Sequence, residues 1–427
     1  MNTKYKCPIC GNTEINSIGI RNGHYYCRKC ISFKTSEHIK NDAYPKRANI
    51  FLEYSLSDEQ KKLSDQIIEN YKRGIDTLVY AVCGSGKTEI SLGIIQYAIQ
   101  CGEKVAFAVP RRDVGIELFN RLKTIFRFNK VVAVYGGNAS VVNGDLIVLT
   151  THQLYRYKKF FSLIILDEID AFPFKNNEVL KQMFFNALDG HYVLMSATPN
   201  KDVLELFKGK DKSILRLDTR FHRHPLPVPE IKTNRVFTLV ILFKCLRQFL
   251  IDRKPVFVFC PTINECENVY RFLKLFYPHG NYVHSKCIDR NERINNFRNG
   301  TFDYLVTTSV LERGVTVKNL QVIVFDSDNQ IYDSGVLIQI AGRVGRKIDA
   351  PDGQVIFISK KVTKEMSIID IIQICPQAGE VFAKYGLGCI GCAAARFENL
   401  EAGAKVHGID PEEMVAEINA LIDYLWN

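Results

Sequence analysis

The residues best suited to chemistry lie in a glycine-rich stretch, AVCGSGKT, at residues 81–88. Its two glycines allow backbone N–H groups to approach phosphates, the lysine can reach the β- and γ-phosphates, and the threonine hydroxyl can hold Mg²⁺. The stretch follows an apolar strand pattern and precedes a helical one, as a phosphate-binding loop requires. We therefore predict a nucleoside triphosphate site formed by Gly84, Ser85, Gly86, Lys87 and Thr88.

An acidic cluster, DEID at residues 167–170, follows the apolar run SLIIL. Asp167 can bind the Mg²⁺ of the nucleotide, and Glu168 can polarise the attacking water. Together with Lys87, these carboxylates predict that the bound nucleotide is hydrolysed. Upstream, Gln60 in the pattern Leu-Ser-x-x-Gln lies where a glutamine that reads adenine is expected, so ATP is the predicted nucleotide.

Two cysteine pairs near the start of the chain have the spacing of a zinc site. Cys7-x2-Cys10 and Cys27-x2-Cys30 are separated by 16 residues and place four thiolates on two turns, which suits tetrahedral Zn²⁺. Because sulfur fills all four positions, we expect a structural site. Residues 1–50 carry nine basic and three acidic side chains with aromatic residues between them, so the segment either contacts nucleic acid or only packs against the rest of the protein.

The elements that must position these residues follow an alternating pattern. From about residue 56, apolar strand runs such as TLVYAV and KVAFAVP alternate with helical stretches, which is typical of a parallel α/β sheet. The stretch FHRHPLPVPE has three prolines and cannot sustain a helix or a strand, so we interpret it as a connector to a second α/β run. The predicted domains are a zinc ribbon over residues 1–40, an α/β domain over 41–217, a linker over 218–235, a second α/β domain over 236–361 and a small helical module over 362–427.

Composition and charge limit the class of protein. The chain has 427 residues and 46% hydrophobic side chains, which is enough for several domain cores. It contains neither a signal peptide nor an apolar run of the ~18 residues that span a bilayer, so we expect a cytoplasmic protein with mostly reduced thiols. Residues 1–360 carry 51 basic and 36 acidic side chains, and this surplus suits contact with a phosphate backbone.

Two further motifs complete a recognisable set. SAT at residues 196–198 follows another strand run, and QIAGRVGR occupies residues 339–346. With the phosphate loop and the acidic cluster, this set resembles that of superfamily 2 helicases. The resemblance implies two RecA-like domains with ATP in the cleft between them and with Gln339 and Arg343 near the γ-phosphate. It also implies that Arg346 is an arginine finger, a group worth about 10³ to 10⁵ in rate.

The closer resemblance is to the ComFA family of competence proteins, helicase-like ATPases of transformable Gram-positive bacteria, and it covers roughly residues 5–360. The family assists the uptake of transforming DNA as a single strand. The resemblance therefore implies single-stranded DNA, ComFC and the membrane channel ComEC as partners, with the protein peripheral at the inner face of the membrane. It is carried by the cysteine ribbon, CGSGKTE, PRRDV at 110–114, TTHQL at 150–154, DEIDAFPF at 167–174, RFH and HPLPVP within 220–229, and LERGVT at 311–316.

The same resemblance implies a nucleic-acid track of small hydroxyls, amides and cations on loops of both domains. Such groups hold phosphates without reading sequence, which suits a translocase. For each residue, a strand-end cap or a loop hydrogen bond is the competing interpretation. The residues of the track are Pro110, Arg111, Arg112, Thr150, Thr151, His152 and Gln153 in the first domain and Thr262, His284, Ser285, Thr307, Thr308 and Arg313 in the second.

The C-terminal tail departs from the ComFA pattern and resembles a small helical module, the hybrid-cluster-protein-associated redox disulfide domain. Cys389-x2-Cys392 supplies one thiol pair, which leaves three interpretations open: a redox switch, half of a metal site shared between two copies, or two buried structural cysteines. Asp410 and Pro411 predict the start of its last helix. Met366 lies where the module could begin as a separate protein, so a fusion, natural or made for expression, is a further interpretation.

Three functions remain to be compared. The first is a DNA-stimulated ATPase that moves along single-stranded DNA, the second is a redox-regulated scaffold that binds DNA, and the third is an RNA helicase. The ribbon and the competence-type motifs disfavour the third. No catalytic position of the motif set is lost, which favours the first function, with ATP, Mg²⁺ and Zn²⁺ as its cofactors.

Overall fold

The computed structural model describes most of the chain. Arg313, Cys389 and Cys392 of the predictions above lie outside the described residues. The chain divides into two units, Met1–Pro225 and Leu226–Asn427. The described residues are 5–21, 23–30, 39, 42–138, 140–170, 174, 177–199, 201–209, 211–233, 238–312, 315–347, 349–359, 361–387 and 399–426.

The N-terminal segment is an antiparallel ribbon in which β1 (Ile18–Arg21) pairs with β2 (His24–Cys27). A segment this short has too few aliphatic side chains to form a core of its own. Its interior is made instead by the four cysteines of the predicted zinc site, which are all buried. The predicted metal ligands are therefore the centre of the ribbon.

The rest of unit 1 is built on a parallel sheet. Its strands are β3 (Asp76–Ala81), β4 (Val105–Val109), β5 (Val131–Val134), β6 (Leu146–Thr150), β7 (Phe161–Asp167), β8 (Leu188–Ser196) and β9 (Lys212–Leu217). Within the described residues they form one sheet in the order β5-β6-β4-β7-β8-β3-β9, and every pairing is parallel. Since the carboxyl ends of parallel strands meet at one edge, the phosphate loop, the acidic cluster and the SAT motif follow strands at the same edge.

Helices cover both faces of this sheet. They are α1 (Asp58–Lys72), α2 (Lys87–Gln100), α3 (Arg112–Ile125), α4 (Glu178–Ala187) and α5 (Lys201–Leu206). Along β4, Val105 and Phe107 belong to the core formed with α1 to α3, whereas Ala106 and Ala108 belong to the core formed with α4 and α5. Burial on both faces explains why these strands are unbroken apolar runs in the sequence.

Unit 2 contains a second parallel sheet. Its strands are β10 (Glu230–Thr233), β11 (Val256–Phe259), β12 (Gly280–Val283), β13 (Tyr304–Thr307), β14 (Gln321–Phe325) and β15 (Val355–Ser359). Within the described residues their order is β10-β15-β14-β11-β13-β12, again with parallel pairing. The accompanying helices are α6 (Thr238–Ile251), α7 (Ile263–Lys274), α8 (Arg290–Arg298) and α9 (Ser334–Ala341). The predicted α/β fold class, with two tandem RecA-like domains and a four-cysteine ribbon, is confirmed.

The tail of unit 2 forms a small helical module with its own core. Its last helix starts where predicted, because Pro411 is its first residue and the Glu412 N–H donates to Asp410 Oδ1 at 2.9 Å. Within the described part of the chain, no helix has both the length and the apolar character needed to cross a membrane. The helices of the module are α10 (Ile368–Ile374), α11 (Ala378–Lys384), α12 (Leu400–Val406) and α13 (Pro411–Trp426).

Candidate active site and metal centre

The phosphate-binding loop connects β3 to α2, and its glycines set its shape. Gly84 and Gly86 both have a φ of 83°, in the left-handed region that glycine adopts without strain. A Cβ on Gly86 would also lie 2.3 Å from Gln60 Nε2. The loop leads into the first turn of α2, where N–H groups without intrahelical partners favour an anionic ligand. The loop therefore has the shape and polarity to bind phosphates.

The loop also contains a buried hydroxyl that fits a polar ligand. Ser85 is fully buried, and within the described residues its Oγ has no hydrogen-bond partner. Leaving such a group unpaired costs about 1–3 kcal/mol, so a ligand that supplies a partner is favoured. The oxygens of Thr88 and Asp167 are of the kind that Mg²⁺ prefers. The residues present thus fit a nucleotide with Mg²⁺.

Two elements hold the main chain of the loop. Gln60, in the first turn of α1, donates from Nε2 to Ser85 O at 2.7 Å, and its Oε1 accepts from Ser57 N at 3.0 Å. Ser57 Oγ accepts from Gln60 N in return, which completes a capping box. Phe221 N donates to the neighbouring carbonyl, Gly84 O, at 3.3 Å. Gln60 is therefore tied to the loop, and its contact with adenine stays a prediction.

The second residue of the acidic cluster, Glu168, has a strained main chain. Asp167 ends β7, and the Glu168 that follows has a φ of 57°, which is uncommon for a residue with a side chain. The Glu168 N–H donates to Asp167 Oδ1 at 2.9 Å, and Ile169 N donates to Met195 O at 3.3 Å. Strained residues of this kind concentrate at active sites. The catalytic role of Glu168 stays a prediction that this conformation supports.

Asp170 links the acidic cluster to the SAT motif. One of its carboxylate oxygens accepts from Ser196 Oγ at 2.7 Å, and the other accepts from Thr198 Oγ1 at 2.9 Å. Thr198 N also donates to Ser196 Oγ at 2.9 Å. No role for Asp170 follows from the sequence, because its partners lie 26 and 28 residues away and meet it only across the sheet. The one sequence feature that could have drawn attention to Asp170 is its place as the last acid of the DEID pattern.

A polar network lies beside the phosphate loop and was also missed by sequence reasoning. Glu89, which follows Thr88 in α2, is buried. Its Oε1 accepts from Tyr54 OH at 2.7 Å and forms an ion pair with Arg121 of α3. Arg121 Nη2 also donates to Tyr54 OH at 2.7 Å. This network fixes the first turn of α2, which carries the lysine and threonine of the loop.

The motif QIAGRVGR in unit 2 spans the end of α9. Gln339 is buried, and Arg343 is only 1% exposed. The Arg343 guanidinium donates from Nε to Glu312 O at 2.7 Å and from Nη1 to Val315 O at 2.8 Å. Arg346 is half-buried and donates from Nε to a main-chain carbonyl of the same motif. Arg343 therefore holds the main chain at Glu312 and Val315, and the contacts of all three motif residues with a γ-phosphate stay predictions.

The four cysteines of the ribbon converge on one point. Their Sγ atoms all lie within 4.8 Å of one another, with Cys7 and Cys30 at 3.4 Å and Cys10 and Cys27 at 3.6 Å. These separations are too long for a disulfide bond of about 2.05 Å. They are close to the spacing of about 3.8 Å around tetrahedral Zn²⁺ with Zn–S bonds of about 2.3 Å. Burial raises the pKa of the Cys10 thiol to about 11. The donor set fits the predicted structural zinc.

The ribbon packs directly against α4. Asn186 Nδ2 donates to Ile9 O at 2.7 Å, and Ile9 packs on the same core as Met183. Gly11 has a φ of 65°, and a Cβ there would lie 2.9 Å from the Gln182 side chain. The metal centre is thereby attached to the helix that follows the acidic cluster along the chain.

The predicted nucleic-acid residues of unit 1 follow β4 and β6. Arg112 is exposed at the start of α3, with its guanidinium 5.2 Å from the Tyr135 ring centroid. Arg111, His152 and Gln153 are half-buried, and burial lowers the pKa of His152. These four side chains are accessible to a ligand. The buried members of this part of the track are Pro110, Thr150 and Thr151.

Unit 2 gives several predicted track residues internal partners. Thr262 caps α7, because its Oγ1 accepts from a first-turn N–H at 3.2 Å. Thr307 Oγ1 donates to a carbonyl of β12 at 2.8 Å, and His284 Nε2 lies 3.2 Å from a carboxylate oxygen of α7. These bonds are of the kind expected from the competing interpretation, in which the residues act as caps or form loop hydrogen bonds instead of contacting nucleic acid. Ser285 is exposed, whereas Thr308 is buried.

Comparison with known proteins assigns the chain to a family. It is 32% identical over 404 residues to the competence protein ComFA of Bacillus subtilis (strain 168), an alignment that covers 89% of this chain and 87% of that protein. The chain belongs to the ComFA family. A second ComFA, from Streptococcus pneumoniae (strain ATCC BAA-255 / R6), is 30% identical over 392 residues and covers 86% of this chain and 90% of its own.

Other matches cover the parts of this ComFA-family chain separately. Residues 60–206 match the DEAD/DEAH box helicase family, residues 241–347 match the helicase conserved C-terminal domain, and residues 362–415 match a domain of unknown function, DUF1858. A solved structure of S. cerevisiae Dbp5 bound to RNA and ADP BeF3 has a TM-score of 0.56 at 17% identity, over 75% of this chain and 91% of that one. This likeness shows the shared fold. The chain is thus a helicase-like, ATP-hydrolysing competence protein of superfamily 2.

Proposed function

We propose that this ComFA-family protein uses ATP hydrolysis to move along single-stranded DNA during the uptake of transforming DNA. The observation that carries the proposal is the arrangement of the phosphate loop and the acidic cluster at one sheet edge, with no catalytic position replaced. A binding scaffold has no need of this hydrolytic machinery. The ComFA relatives supply the link to competence.

In the proposed reaction, the loop and Lys87 bind the phosphates of ATP. Thr88 and Asp167 hold Mg²⁺, and Glu168 polarises the attacking water. Arg346 is proposed as the arginine finger that stabilises charge on the γ-phosphate, and hydrolysis is proposed to drive movement along the strand.

The DNA is proposed to follow the exposed and half-buried members of the track. The positive surplus of residues 1–360 attracts the phosphate backbone without regard to sequence. We extend the proposal to ComFC and the ComEC channel as partners at the inner face of the membrane. The predicted domain limits stay part of the proposal; the division of the chain after Pro225 supports a linker that starts near residue 218, whereas β10 (Glu230–Thr233) already belongs to the second sheet.

Phosphate release measured with single-stranded DNA, duplex DNA and RNA tests this proposal. We expect single-stranded DNA to raise ATP turnover many-fold, and we expect turnover to be lost in Lys87→Ala. Equal turnover with and without DNA would contradict a motor, and stimulation by RNA alone would favour an RNA helicase. DNA binding that is unchanged in Glu168→Gln but depends on the oxidation state of Cys389 and Cys392 would favour a redox-regulated scaffold.

A further inference from the structure

Arg220 is a buried cation beside the phosphate-binding loop. It is only 2% exposed, and its Cγ, Cδ and Nε atoms each lie 3.8 Å from the position that a Cβ on Gly84 would occupy. Arg220 follows β9, which pairs with β3 such that Leu217 is opposite Ala81. Strand pairing therefore brings the chain after β9 alongside the loop that follows β3.

The residues on either side of Arg220 fix its position. Phe221 N donates to Gly84 O at 3.3 Å, so the residue after Arg220 is bonded to the loop itself. Thr219 Oγ1 donates to Glu59 Oε2 at 2.5 Å, so the residue before it is bonded to the first turn of α1. Gln60, in the same turn of α1, donates to the next carbonyl of the loop, Ser85 O. The hydrogen bonds of its two neighbours, Thr219 and Phe221, thus hold Arg220 against the loop.

The Arg220 side chain is buried beside the loop, and electrostatic attraction between a cation and an anion is stronger in the protein interior than in water. The adjacent loop, by its shape and its helix N-terminus, is built to receive phosphates, which are the anions that guanidinium groups bind best. We propose that Arg220 is a positioning residue of the nucleotide site, which fixes the loop and adds a second positive charge beside Lys87 for the phosphates. This inference rests on the proposed function, because it takes ATP as the ligand.

Nucleotide binding by the full chain without DNA tests the role of Arg220. Arg220→Met keeps the aliphatic stem and removes the charge, so we expect the affinity for fluorescent ATP and ADP analogues to fall about 10- to 100-fold. Arg220→Lys keeps the charge, and we expect it to restore a large part of this loss. Arg216→Met is the control, because Arg216 is an exposed arginine on β9, the strand that precedes Arg220, and its replacement should leave binding unchanged.

Two outcomes would overturn the inference. One is an Arg220→Met protein that binds both nucleotides as the wild type does. The other is an equal loss in the Met and Lys variants together with a lower melting temperature of the nucleotide-free chain, since this result would indicate packing alone. A wild-type chain that binds ATP but shows no DNA-stimulated turnover would contradict the proposed function and leave the role of Arg220 standing.

Discussion

Arg343 and Arg346 belong to one motif but have different surroundings, so we expect their replacement to affect stability and ATP turnover differently. Arg343 is buried and bonded to main-chain carbonyls, so Arg343→Met leaves those acceptors unpaired. We expect it to lower the free energy of unfolding by about 2–4 kcal/mol. Arg346 is half-buried, and we expect Arg346→Met to leave unfolding unchanged while lowering ATP turnover by about 10³-fold. Urea unfolding measures the stability of the two variants, and phosphate release measures their ATP turnover. Equal losses of stability in Arg343→Met and Arg346→Met would contradict the prediction.

Glu168 supports a second prediction at the residue scale. Its carboxylate is proposed to polarise water, and an amide of the same size cannot accept the proton. We expect Glu168→Gln to lower turnover by about 10²- to 10⁴-fold while ATP binding stays within twofold. Steady-state phosphate release and equilibrium binding of an ATP analogue provide the measurements. Turnover above a tenth of the wild-type rate would show that another group activates the water.

At the scale of elements, the ribbon packs directly against α4. Cys10→Ser removes one of four thiolates, and we expect the bound zinc to fall from one atom per chain to near zero. Because Asn186 of α4 bonds to the ribbon, we also expect amide hydrogen exchange in α4 to become at least about tenfold faster. Metal analysis and exchange mass spectrometry test both effects.

The control for the zinc prediction is Cys101→Ser, since Cys101 is exposed and lies outside the metal centre. It should change neither the zinc content nor the exchange of α4. Loss of zinc with unchanged exchange in α4 would show that the ribbon folds on the metal but does not stabilise the helix.

At the scale of the whole molecule, charge is unevenly distributed. Residues 361–427 carry five basic and ten acidic side chains, so a chain that ends at residue 360 has a net charge of +15 instead of +10. The helical module has a core of its own, and among the described residues the buried cores of both sheets contain no residue of the module. We expect the shortened chain to keep its ATP turnover and to bind single-stranded DNA about twofold or more tightly at low salt.

Fluorescence anisotropy with a labelled single strand at low and high salt checks this prediction. The difference between the two chains should shrink as salt rises, because screening weakens charge effects at a distance. Tighter binding that persists at high salt would indicate that the tail blocks the DNA site directly.

Features carried by neighbouring residues could be predicted from the sequence alone. The phosphate loop, the acidic cluster and the paired cysteines each place their chemistry within a few positions, so spacing is sufficient to recognise them. The two parallel sheets were predictable for a related reason: strands buried on both faces must be apolar runs, and such runs are visible without a structure. The start of α13 at Pro411 is likewise decided by local capping.

Contacts across the sheets were decided only by the tertiary structure. Strand pairing brings Asp170 to Ser196 and Arg220 to Gly84, and no local pattern marks these pairs. The same holds for burial: Arg343 is buried with main-chain partners and Thr151 is buried, and no local pattern in the sequence marks either position as buried. The phosphate loop was therefore fixed by its own residues, whereas the groups that hold it depend on which strands lie side by side, because hydrogen bonds form in space and not along the chain.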